Sequence, residues 1–76
     1  MAIFYCKSTS EGEQIEDKNP AKAAYTFVNH MLKGMYKFKL KKVTAGKAKE
    51  DPDITITVSD TNAKECYFQY TSLKNR

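Results

Sequence analysis

Apolar and polar positions repeat with two different periods along this chain, and the places where the period changes mark its elements. Ala2-Ile3-Phe4-Tyr5-Cys6-Lys7 is apolar and β-prone on both faces, which predicts a strand covered on at least one side. Ser8 to Gly12 is turn chemistry, with Gly12 available for a positive φ, and Glu13-Gln14-Ile15-Glu16 predicts a short returning strand anchored by Ile15. Asn19-Pro20 is the sharpest punctuation: Asn is a good N-cap, and Pro fits the first helical position, where its missing N–H is not needed. From there Ala24, Phe27, Val28, Met31 and Leu32 fall on one stripe at helical spacing, with Lys22, Thr26, Asn29 and Lys33 on the other side. Gly34 is expected to close the helix as the residue after its cap.

Beyond Met35 the period drops to two. Tyr36, Phe38 and Leu40 alternate with Lys37, Lys39 and Lys41, a half-buried strand with a lysine face. Thr44 to Asp53 contains Gly46 and Pro52 and is expected to be a long exposed connection, a mobile finger. Ile54, Ile56 and Val58 alternate with Thr55, Thr57 and Ser59, and after a turn at Asp60-Thr61-Asn62-Ala63 the last strand sets Cys66, Phe68 and Tyr70 against Tyr67, Gln69 and Thr71. The tail Lys74-Asn75-Arg76 is expected to fray.

One helix with one apolar stripe needs one sheet to cover it, which predicts a single α+β domain over residues 1–76, a two-layer sandwich in the order β(β)αβββ. The last three strands are expected to form an antiparallel meander. At 76 residues the chain is too short for a deep cofactor cleft, and 41% apolar with 29% charged residues suits a small globular domain. No apolar run approaches the roughly 18–20 residues that span a bilayer. With no signal peptide in the N-terminal stretch, the expected location is intracellular, in the cytoplasm or on nucleic acid.

Charge changes this picture. Thirteen Lys and Arg against nine Asp and Glu give +4, and residues 1–34 sum to zero, so the excess lies beyond Gly34. Lys37, Lys39, Lys41, Lys42, Lys47 and Lys49 place six positive charges in thirteen residues with no acid among them, a block that attracts polyanions. The plain alternative is a solvated edge strand whose lysines serve solubility. Arg76 is the sole arginine, so base reading by bidentate guanidinium has little to work with and phosphate contacts should dominate.

If the apolar positions from Tyr36 to Tyr70 pack beneath the helix, the opposite face carries Lys37, Lys39, Lys41, Thr55, Thr57, Tyr67, Gln69 and Thr71. Lysines there would meet phosphates, and the Tyr67 ring would stack or wedge. No Gly-rich phosphate loop and no arrangement of nucleophile, His30 and acid marks an enzyme, and neither a catalytic residue nor a cofactor is expected. Cys6 and Cys66 lack zinc spacing and are expected as buried free thiols; a disulfide between them would need neighbouring strands and an oxidising compartment. Glu50, Asp51 and Asp53 are expected to be a solvated turn rather than a cation site, so no metal is expected. His30, near the helix's negative end, is expected to be a satisfied boundary residue.

Gly12, the helix start Pro20-Ala21-Lys22-Ala23-Ala24, the basic strand Lys37-Phe38-Lys39-Leu40-Lys41 and the closing Tyr67-Phe68 together resemble the methanogen chromosomal protein family, over roughly residues 3–71. The resemblance implies a small, monomeric, architectural DNA-binding protein whose basic strand lies on DNA. The chain has no Trp and a single Arg, and it stops where that family continues into a basic, proline-containing arm that contributes to DNA bending. The expected function is non-enzymatic binding of nucleic acid, double-stranded DNA through its phosphates, by a monomer or homodimer. The alternative is a small protein-interaction module, a regulator or inhibitor that docks an acidic protein partner through the same strand or adds a strand at a sheet edge; a third is a dimer that hides the open face.

Overall fold

The computed structural model describes residues 1–50 and 54–73. The end of the expected finger at Asp51-Pro52-Asp53, with the acids of the candidate cation turn, and the tail at 74–76 lie outside the described residues. The elements run β1 (Ala2–Lys7), β2 (Gly12–Asp17), α1 (Pro20–Met31), β3 (Lys37–Val43), α2 (Ala45–Glu50), β4 (Thr55–Ser59) and β5 (Glu65–Leu73). The fold is α+β: a five-stranded sheet in the order β2-β1-β4-β5-β3, antiparallel at every junction.

α1 begins where its sequence says. The Asn19 side chain accepts from the Lys22 N–H at 2.9 Å, and Pro20 occupies the first turn. Its end differs by one residue from expectation. Leu32 is the cap, the Lys33 N–H donates to the His30 carbonyl, and the Gly34 N–H donates to the Asn29 carbonyl, a Schellman closure. The left-handed turn therefore starts at Lys33 (φ 57°) and continues at Gly34 (φ 69°), so a lysine rather than the glycine stands directly after the cap. The buried face is Ala23, Ala24, Phe27 and Val28; the two alanines bring the first turns close to the sheet.

That face packs on Phe4, Cys6, Ile15, Ile56, Val58 and Phe68, with Met31, Leu32, Phe38, Leu40, Cys66 and Tyr70 around the margin. The registers explain the set. Phe4 lies opposite Ile15, Cys6 opposite Val58, and Ile56 opposite Phe68, so all point to the α1 side. Tyr36 does not join them. It precedes β3, beyond the last β5 pairing among the described residues at Leu73, and is 48% exposed.

The expected meander is not formed. β3 and β4 both pair with β5 and flank it, so they run parallel to each other and need a crossover rather than a hairpin. That crossover is α2, which replaces most of the expected exposed finger. Thr44 accepts the first helical hydrogen bond from the Ala48 N–H at 2.9 Å, and Ala48 is buried against the sheet. Its last carbonyls are satisfied from the strands below: the Thr55 hydroxyl donates to the Ala48 carbonyl at 2.6 Å, and the Gln69 amide to the Lys47 carbonyl at 3.3 Å. Gly12 also departs from expectation. Its φ is not positive; it starts β2 with the Tyr5 ring lying over it, where a Cβ would come within 2.7 Å of the Tyr5 hydroxyl. No helix among the described residues is long and apolar enough to cross a membrane.

Candidate nucleic-acid interface

Strand parity sorts the candidate residues. On β3, Lys37, Lys39 and Lys41 face away from α1, opposite Leu73, Thr71 and Gln69 of β5. All three lysines are exposed and their cross-strand partners are neutral, so no charge directly opposite offsets theirs. Lys42 is separated from them. It lies opposite Phe68 on the α1 side and lines a groove of about 920 Å³ with Tyr25, Thr26, Leu40, Cys66 and Phe68. The groove exists because α1 crosses the β1, β2 and β4 part of the sheet and leaves the β3 margin thinly covered; at that margin Phe38 meets Tyr70 edge to face and Tyr25 at a tilt of 37°.

The outer face is not the open surface expected for it. α2 sits across Thr55 and Gln69 and divides it. The division brings lysines together rather than apart: Lys41 lies opposite Gln69, whose side chain reaches the Lys47 carbonyl, so the lysine strand continues onto α2. Lys47 and Lys49 are exposed on either side of the buried Ala48. Lys49 also lines a second groove of about 470 Å³ with Lys7, Thr57, Glu65 and Tyr67. No local pattern marks Lys7, which lies in the half of the chain whose charges sum to zero. Only the pairing of β1 with β4, Lys7 opposite Thr57, carries it to α2.

Tyr67 is half-buried in this groove, not projecting as a free wedge. Its hydroxyl donates to Glu65 at 2.7 Å, two residues back on the same face. That bond, with lesser contributions from burial and from the carboxylate's charge, raises the phenol's pKa above its ordinary value.

Other reactive side chains are occupied structurally. Burial, reinforced by the carboxylates of Glu13 and Asp17, pushes the Cys6 thiol up to about 11, so it is held as the neutral thiol near neutral pH. Cys6 and Cys66 are free, and both lie opposite Val58 from either side, two strands apart. Two strand spacings are about 9.6 Å, beyond the roughly 7 Å that a disulfide can bridge. His30 Nδ1 sits 3.0 and 3.1 Å from the Glu13 carboxylate and ties the end of α1 to β2. Among the described residues no cluster of three His, Cys, Asp or Glu could hold a metal ion. Comparison with known proteins finds no family model, curated protein or solved structure that matches this chain.

Proposed function

We propose that the chain is a non-enzymatic nucleic-acid-binding protein that lays the outer face of β3 and the adjoining α2 on the phosphates of double-stranded DNA. The observation that carries this reading is the row Lys37, Lys39, Lys41, exposed, on one face, opposite neutral partners. Alternate residues of a strand stand about 6.6–6.8 Å apart, so the three lysines form a straight, regularly spaced row. A strand lying along the backbone would thus present that row to phosphates of one DNA strand. Lys47 and Lys49 extend the footprint across α2, and Lys7 adds a cation on the far side of the second groove. Lys42, on the opposite face, takes no part. Tyr67 orders the groove wall through Glu65 rather than stacking on a base.

The test is fluorescence anisotropy of labelled duplex DNA across a salt series. Each neutralised phosphate contributes about −0.9 to the slope of log affinity against log salt, so Lys37→Ala/Lys39→Ala/Lys41→Ala should flatten the slope by about 2.7. Because all three side chains are exposed, thermal stability should hold within about 0.5 kcal/mol. Affinity and slope that survive the triple substitution would sink the reading.

A further inference from the structure

The two edges of the sheet carry opposite charge. β2 contributes Glu13, Glu16 and Asp17 with no cation, and β3 contributes Lys37, Lys39, Lys41 and Lys42 with no acid. Each of these strands has a neighbour on one side only within the sheet. Lysines on an edge ordinarily deter strand pairing, but that protection acts between like edges. Two copies joined by a two-fold axis would set β3 against β3 or β2 against β2, lysine row against lysine row or acid row against acid row. The remaining arrangement sets β3 of one copy against β2 of the next.

Strand direction and parity define that arrangement. β1 is antiparallel to β2 and β4, and β5 is antiparallel to β4 and β3, so the two edge strands run the same way. A second copy translated along the sheet, with α1 on the same side, therefore presents β2 to β3 as a parallel pair. One register gives the most matches. Leu40 beside Ile15 on the α1 side sets Lys42 beside Asp17 and Phe38 beside Glu13 on that face, and Lys39 and Lys41 beside Gln14 and Glu16 on the other. Moving the register by two residues, the next choice that keeps the faces, puts Leu40 beside Glu13 and Lys42 beside Ile15, or Leu40 beside Asp17 and Lys41 beside Lys18.

We infer that this protein self-associates head to tail through β3 and β2, its partner being a second copy of the same chain. The contact is heterologous, so it does not close at two copies; it propagates the sheet and leaves one basic and one acidic edge at its ends. Parallel pairing is the weaker ladder and the charge pairs are solvent-exposed, so association belongs to low ionic strength and high concentration. This inference goes beyond the binding function and does not depend on it.

The experiment is sedimentation velocity on the full chain without nucleic acid, over a concentration series, at low ionic strength and at about 1 M salt, where the screening length falls to about 3 Å. The wild-type chain is expected to show a concentration-dependent rise in sedimentation coefficient at low salt that vanishes at high salt. Two edge variants change exposed outer-face positions: on that face Lys39→Glu/Lys41→Glu leaves both edges net acidic, and Gln14→Lys/Glu16→Lys leaves both net basic. Each alone should stay monomeric, and an equimolar mixture should associate again, since each now meets an opposite edge. Circular dichroism on each variant checks that it is folded. A wild-type chain that is monomeric at every concentration at low salt overturns the inference. So does a variant that associates like wild type on its own, or a mixture of folded variants that stays monomeric.

Discussion

α1 links β2 to β3 across one face of the sheet and α2 links β3 to β4 across the other, yet the two crossovers are held by different kinds of interaction. α1 spans 12 residues, with its N-cap, its starting proline, its apolar stripe and its Schellman closure all in its own sequence. α2 spans six residues, shorter than an isolated helix can sustain in water. It stands because Ala48 is buried and because Thr55 and Gln69, from two strands that follow it in sequence, accommodate its last carbonyls. A helix that satisfies its own ends can be read locally. One that borrows its caps from the sheet beneath is decided by what it lands on.

The comparison can be broken first at the core side. Phe27→Ala in α1 removes a side chain that is 1% exposed and should cost about 3–5 kcal/mol, a large share of the stability of so small a domain, read from a urea midpoint. Ala48→Glu, the matching insult to α2, should cost less, about 1–3 kcal/mol, because the short helix can lift away from the sheet while the α1 core stays packed. Amide exchange should then accelerate in α2 and the β4–β5 face beneath it and hold in α1; equal loss of protection in both would refute the distinction.

The caps sharpen it further. Asn19→Ala should cost about 1 kcal/mol, and Thr55→Val a similar amount by removing the donor to the Ala48 carbonyl. The first loss should appear in α1 protection and the second in α2, although Thr55 belongs to a strand. The smallest effect is a gain. Gly46 in α2 has open space where a Cβ would stand and no positive φ, so Gly46→Ala should stabilise by about 0.5–1 kcal/mol, seen as a raised melting temperature.

The same contrast runs through the candidate interface. Lys37, Lys39 and Lys41 were legible because a strand's period of two assigns faces without any knowledge of neighbours. Lys42 was not: it follows Lys41 directly, and charge density alone groups it with the others until the Phe68 register sends it to the α1 side. Lys47 and Lys49 are legible as basic residues but not as helical ones, because α2 is held by strands that follow it. Nothing local marks Lys7, whose companions in the groove are distant in sequence.

What this sequence determined by itself is whatever short-range physics can encode: the strand periods, the Asn19-Pro20 start of α1, the apolar stripe from Ala24 to Leu32, the excess of lysine beyond Gly34, and from these an α+β fold with one main helix on a sheet. Tertiary structure decided the strand order, which moved β3 past β5 to the edge, and with it the need for a crossover, the folding of α2, and the exposure of a basic edge at one end of the sheet and an acidic edge at the other. The division has a physical cause. Periodicity and capping are settled within a few residues, whereas strand order and borrowed caps depend on contacts between segments far apart in the chain, whose energies no local pattern records.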